Sequence, residues 1–191
     1  MSFFLGIFPD KESSNKIQDV ASGIEDVFSG FEIPVRWMKP ENYHITLLHF
    51  GEQLPIYKKI FFKKRLNKFN LKKFKVRFNT VKLGISRRYK ELIYLDLLEG
   101  GDEMRKLFLE LEKTLKTNNE GNFTPHLTLG RVSKDLTQQE YGNICRDLQV
   151  VSKDLKIENI EFLVNELKLV KSKEGTYEVL ISFSDSSRIE S

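Results

Sequence analysis

Two short runs of the chain share a set of side chains that could move protons. "ENYHITL" (41–47) and "FTPHLTL" (123–129) each carry His, an aliphatic residue, Thr and Leu, and their histidines lie 82 positions apart. The chain has only three histidines, so two of them share one context. Side chains two apart in a strand lie on one face. His44 therefore projects with Thr46 and His126 with Thr128, while Ile45, Leu47, Leu127 and Leu129 face a core. Each run offers one imidazole beside one hydroxyl on a platform held rigid by its aliphatic neighbours.

Opening a cyclic phosphate suits such a set. One group must take a proton from attacking water while another gives a proton to the leaving alkoxide across phosphorus. An imidazole with an ordinary pKa of about 6.5 supplies either state near neutrality. The threonine hydroxyls can donate to nonbridging oxygens, and a cation can offset the developing charge. This chemistry calls for no metal and no cofactor. Zinc suits the chain poorly, because three histidines, one cysteine and no His-x-His clamp leave carboxylates to complete a site. Cys145, on an expected helix after the second run, reads as a core residue.

The elements that must position these residues alternate along the chain. A strand at 3–8 leads to Pro9-Asp10, which opens an amphipathic helix to about Phe28 with Ile17, Val20, Ile24, Val27 and Phe28 on one face. "VRWMK" is extended, 40–42 a turn, and "YHITLLHF" a strand. A helix follows from Leu54 to Lys68. Strands at 73–85 and 91–97 flank a basic turn, Ser86-Arg87-Arg88-Tyr89, and Asp102 to Leu115 is helical. After the strand "PHLTLGRV" comes a helix from Thr137 to about Leu148. Two closing strands, "IENIEFLVNELKLVK" and "YEVLISF", form a hairpin across Glu174-Gly175. The expected fold is α+β with mostly antiparallel sheets, and the repeated His run implies two related halves.

The chain of 191 residues can bury one sizeable core, or two small lobes sharing one. With 40% hydrophobic and 30% charged residues it has the make-up of a soluble globular protein, not a disordered one. No apolar run approaches the roughly 20 residues that span a bilayer. The start "MSFFLGIFPD" reads as a strand rather than a signal peptide. A cytoplasmic location and no membrane partner are expected, and a single cysteine agrees. The net charge of +4 is unevenly spread. Residues 57–77 hold ten of the 31 basic residues and no acidic one, leaving 21 basic against 27 acidic elsewhere. Phe62, Leu66 and Phe69 supply a buried stripe there, with Lys63, Lys64, Lys72 and Lys73 outward as candidate RNA-binding residues.

"RWMKPENYHITLLHFGE" (36–52) and "FTPHLTLGRV" (123–132) resemble the paired signature of the two-histidine phosphoesterases. Within them the likeness is to the RNA 2′,3′-cyclic phosphodiesterases of the 2′-5′ RNA ligase family. It covers essentially the whole chain, from the "FFLGIF" strand onward. The resemblance implies a bilobal α+β fold with pseudo-two-fold symmetry, two mostly antiparallel sheets flanking a central cleft, and helices outside. It places a single domain over 1–183 and a flexible tail at 184–191. It also implies metal-independent hydrolysis of an RNA-terminal 2′,3′-cyclic phosphate to a 2′-phosphate, and ATP-independent 2′-5′ joining. His44 would be the proton donor toward the 3′ oxygen, His126 the acceptor from water, and Thr46, Thr128 and Arg131 the phosphate-binding groups. The implied partners are RNA ends with a 2′,3′-cyclic phosphate, such as tRNA fragments, and the expected state is a monomer.

Two positions strain this pattern. Strict alternation sets Arg131 on the face opposite His126, so its role requires the strand to bend or end near Gly130. His49 stands where the family commonly has an aromatic; alternation turns it away from His44, as a buried or rim histidine. Two other readings stay open: an esterase for a small cyclic nucleotide or an ADP-ribose cyclic phosphate, and a noncatalytic binder of single-stranded RNA.

Overall fold

Apolar residues at every second position define nine strands, and the breaks between them admit five helices among the described residues. A computed structural model describes residues 1–84, 91–117 and 123–184. Strand β1 (Ser2–Ile7) runs into helix α1 (Lys11–Gly23), started by the Asp10 carboxylate, which accepts from the Ser13 N–H at 2.8 Å. Then come α2 (Glu25–Ser29), β2 (Val35–Trp37), a 3-10 turn at Pro40–Asn42 and β3 (Ile45–His49). Helix α3 (Ile56–Leu66), β4 (Phe74–Leu83), β5 (Leu92–Glu99) and α4 (Gly101–Leu115) follow. The chain ends with β6 (His126–Val132), α5 (Gln138–Asp154), a 3-10 turn at Ile157–Asn159, β7 (Glu161–Val164), β8 (Glu166–Lys173) and β9 (Thr176–Ser184).

These strands form two antiparallel sheets, ordered β3-β1-β8-β9 and β2-β6-β5-β4-β7. One face of each enters a continuous core: Phe3, Leu5 and Ile7 from β1, Leu127, Leu129 and Val132 from β6, Ile93 and Leu95 from β5. Helices α3 and α4 pack on the first sheet's core face, through Phe62, Leu66, Met104 and Leu111, and α1 and α5 cover the second. The other faces carry the two His runs.

The halves correspond strand by strand. In the first sheet Gly6 pairs with Thr46 and Lys168; in the second Tyr94 pairs with Thr128 and Lys82. Strands β3, β1 and β8 are thus repeated as β6, β5 and β4. Each motif strand also bulges at the same place. Leu5 and Gly6 pair with Leu48 and Thr46, leaving Leu47 extra in β3; Ile93 and Tyr94 pair with Gly130 and Thr128, leaving Leu129 extra in β6. A bulge puts two residues opposite one and reverses the side-chain alternation beyond it.

Two expected elements differ. The helix through Phe28 is broken at Ile24, where α1 ends against α5: a Cβ on Gly23 would lie 2.6 Å from Leu155 Cδ2. The first of the two expected closing strands, 157–171, is instead two strands in different sheets, with β7 against β4 and β8 against β1, and only Asn165 between them. The buried parity changes there, from Phe162 and Val164 to Leu167 and Leu169. The β8–β9 hairpin turns at Glu174 and Gly175 as expected; both have positive φ, 51° and 80°, the backbone of a tight two-residue turn. Helix α5 runs to Asp154, past Leu148. The basic turn at 86–89 lies outside the described residues, as do residues 185–191 of the tail expected at 184–191, whose first residue, Ser184, closes β9.

Candidate active site

His44 lies between Tyr43, which caps the 3-10 turn, and the first residue of β3, Ile45; His126 opens β6. Each ring is fixed in the same way. Nδ1 of His44 donates to the Asn42 carbonyl at 2.7 Å, and Nδ1 of His126 donates to the Thr124 carbonyl at 2.8 Å. That bond sets the tautomer, so in each neutral ring Nε2 carries the lone pair. Thr46 and Thr128 follow on the same faces, half-buried, and among the described residues neither hydroxyl has a hydrogen-bond partner.

Aromatic rings drain water from the first site. Phe4 stacks on His44 at 4.6 Å between centroids, Phe8 at 5.5 Å, and the edge of Tyr177 meets it at 5.3 Å. Burial lowers the His44 pKa to about 4; the bond to Asn42 opposes this, and the charge of His126 adds to it. Among the described residues the one ring that His126 meets is Tyr94, edge-on at 5.5 Å. Its pKa is also lowered, by burial first and then by Arg131, against the bond to Thr124. The two imidazoles feel each other because β3 of one sheet comes close to β6 of the other. Both are neutral at pH 7 in the free protein.

Arg131 reaches this face through the β6 bulge. Leu129 and Gly130 are both buried, so Arg131 emerges with His126 and Thr128. The bend required near Gly130 is therefore present. One guanidinium nitrogen donates to Glu91 at 2.9 Å, and the others have no hydrogen-bond partner among the described residues. The same device corrects the expectation for His49. The β3 bulge at Leu47 turns His49 onto the His44 face, opposite Phe4, whose ring covers His44. His49 is exposed, and its Nδ1 accepts from the Gly51 N–H at 3.2 Å. It is the positional twin of Arg131.

Residues that the motifs did not announce complete the face. Tyr177 arrives from the β8–β9 hairpin, which is tied to the first motif by Asn42: its side-chain amide donates to the Gly175 carbonyl at 2.8 Å. Arg36 lies on β2 directly opposite Arg131. Lys168, beside Gly6, sits over the Phe8 ring and pairs with Glu166 at 3.1 Å; Lys82, beside Tyr94, pairs with Asp96. No sequence spacing could reveal these neighbours, since they depend on strand register. Lys63, Lys64, Lys72 and Lys73 are exposed. Helix α3, which carries the first two, lies on the side of the first sheet away from His44; Lys59 of the same helix covers Phe3 on that core side. A groove of about 610 Å³ beside Thr124 and Pro125 is lined by four carboxylates, Asp96, Glu99, Asp102 and Glu103, and by two cations, Lys75 and Arg105. Among the described residues no cluster of His, Cys, Asp and Glu could hold a metal ion, and no helix is long and apolar enough to cross a membrane.

The sequence pattern of the 2′-5′ RNA ligase superfamily matches residues 7–176, a span that takes in both motifs and the Tyr94 strand. The chain belongs to the 2′-5′ RNA ligase superfamily. Solved structures of the same fold include Escherichia coli LigT in complex with 3′-AMP, 17% identical over 97% of this chain and 98% of LigT, at a TM-score of 0.69. A conserved protein of unknown function from Agrobacterium tumefaciens is 11% identical over 95% of this chain and 85% of its own, at 0.72. A Thermus thermophilus protein, TT0787, is 18% identical over 96% and 97%, at 0.63. The fold is thus shared with these structures at low identity, and this chain carries two His-x-Thr motifs, at His44 and His126.

Proposed function

We propose that the protein hydrolyses the 2′,3′-cyclic phosphate at an RNA end to a 2′-phosphate, without a metal ion. The observation that carries this reading is the matched pair of imidazoles, each tied at Nδ1 to the carbonyl two residues before it and each beside an unpartnered threonine hydroxyl. In the step proposed, Nε2 of His126 accepts a proton from water as its oxygen bonds to phosphorus. The bond from phosphorus to O3′ breaks, and Nε2 of His44 delivers a proton to O3′. Thr46, Thr128 and the free donors of Arg131 hold the nonbridging oxygens.

His44 is the harder ring to protonate in the free protein, so its catalytic proton comes with the substrate. An anionic phosphate between the rings favours the imidazolium and offsets the loss of solvation. Exchange of water for a ribose 5′-hydroxyl in the same displacement forms a 2′-5′ phosphodiester, which requires no ATP. The basic surface at Lys63, Lys64, Lys72 and Lys73 would act at a distance, by raising the concentration of RNA near the protein.

The test is direct. Purified protein in EDTA, given an oligoribonucleotide ending in a 2′,3′-cyclic phosphate, should yield a terminal 2′-phosphate. A 3′-phosphate product, or turnover confined to a cyclic mononucleotide, would refute the assignment.

A further inference from the structure

Arg36 of β2 and Arg131 of β6 are direct cross-strand partners. Such partners share a face with Cβ atoms about 4.5–5.5 Å apart, and like charges placed there repel. Among the described residues one carboxylate answers the pair, and it belongs to Arg131: Glu91 holds that guanidinium at 2.9 Å. Arg36 is exposed and has neither an ion pair nor a hydrogen bond among the described residues. Both cations act on the Tyr177 hydroxyl, drawing its pKa down against burial, which raises it. Tyr177 in turn lies edge-on to His44. The excess positive charge therefore borders the histidines rather than a remote surface, and an anion is what the arrangement lacks.

We infer that Arg36 forms a second phosphate subsite, one strand out from Arg131, which receives the 5′-phosphate of the nucleotide whose cyclic phosphate lies between His44 and His126. This rests on the reading of the site as one for a cyclic phosphate. When phosphorus bridges the 2′ and 3′ oxygens, any further phosphate on that nucleotide must be carried by its 5′ oxygen. Strand β2 lies about 4.8 Å beyond β6, so Arg36 extends the phosphate-binding face outward without crowding the reacting group. In RNA the 5′-phosphate is the phosphodiester to the preceding nucleotide, so the subsite selects a chain end over a lone nucleoside.

The experiment compares the binding of adenosine 3′,5′-bisphosphate and adenosine 3′-monophosphate by calorimetry, in the wild type, Arg36→Gln and Arg36→Lys. The wild type should prefer the bisphosphate about tenfold, Arg36→Gln should remove that preference, and Arg36→Lys should keep part of it. Equal affinities in the wild type, or a preference that survives Arg36→Gln, would overturn the subsite. So would equal weakening of both ligands, which would mark a contact with the base or a structural role. A preference dependent on Arg36 in a protein that opens no cyclic phosphate would support the subsite and refute the reaction. Turnover of a nucleoside 2′,3′-cyclic phosphate bearing a 5′-phosphate, and of a dinucleotide lacking one, then separates the two sources of the group, terminal or internal.

Discussion

His49 and Arg131 occupy the same place in the two halves of the protein. Each follows its motif histidine by five residues, and each is carried onto the histidine face by a bulge that adds one leucine, Leu47 or Leu129, to the strand. The symmetry of the backbone is kept while the side chains diverge, so one half offers a permanent cation and the other an imidazole.

His49 stands where the resemblance sets an aromatic ring, and stacking needs a flat face rather than a proton. Base–aromatic stacking is worth about 1–3 kcal/mol. His49→Ala should raise KM for a nucleoside 2′,3′-cyclic phosphate about tenfold with little change in kcat, and His49→Phe should restore it. An unchanged KM in the alanine variant would remove His49 from substrate binding.

Replacing either motif histidine should be severe. His44→Ala and His126→Ala should each lower kcat/KM by about a hundredfold or more while the fold melts normally. Because kcat/KM reports ionisations of the free protein, and both rings titrate below 6.5, its maximum should fall between about pH 4 and 6.5. The kcat maximum should lie at higher pH, since bound phosphate raises the His44 pKa. A kcat/KM maximum above pH 7 would contradict the ring environments described.

The same burial links His44 to stability. In the unfolded chain the ring takes up a proton near pH 6.5, but in the native protein only near pH 4. Stability is therefore complete above about pH 6.5 and is lost as pH falls toward 4, by roughly 3 kcal/mol from this ring. Below that pH both states are protonated and no more is lost. Denaturant melts of the wild type and His44→Gln should converge in acid-dependence only if another group is responsible; a flatter profile in the variant assigns the effect to His44.

Gly130 lets β2 approach the β6 bulge. A Cβ there would lie 3.0 Å from Trp37 Cε3, 3.1 Å from Val35 Cγ1 and 3.2 Å from the Arg36 carbonyl. Gly130→Ala should therefore cost about 1–3 kcal/mol and weaken phosphate binding more than Leu129→Val does, because it displaces the strand that carries Arg36. Calorimetric melting and phosphate titration read the two effects separately.

The lysines on and after α3 give a longer-range expectation. Replacing Lys63, Lys64, Lys72 and Lys73 by Gln should flatten the salt dependence of kcat/KM for a long oligoribonucleotide and leave a dinucleotide unaffected. An equal response from both substrates would confine these residues to solubility.

Much of this was legible in the chain. His44, Thr46, His126 and Thr128 announce themselves by type and spacing, and simple alternation sets each pair on one face. The sequence does not show where alternation fails. "TLLH" and "TLGR" each contain two consecutive core residues, and only strand pairing reveals that both positions are bulged. That is why His49 was expected on the wrong face, whereas Arg131 required a bend that a glycine already hinted at. Arg36 and Tyr177 escaped for another reason: their place beside the site is set by partners about a hundred residues away or more, through β2–β6 pairing and the Asn42 bond to Gly175.

The single residue Asn165 joins strands of opposite sheets, and β8 then inserts between β1 and β9. During synthesis, the strand next to β1 on its open side is thus among the last to leave the ribosome. The second sheet can pair its central strands as soon as β6 appears, whereas the first waits with one edge of β1 uncovered until residues 166–173 arrive. Such long-range closure is slow and exposes strand edges meanwhile. Both halves thus hold a strand edge open late, β4 until residues 161–164 arrive and β1 until 166–173, and the strand beside the His44 run is the later of the two to be covered.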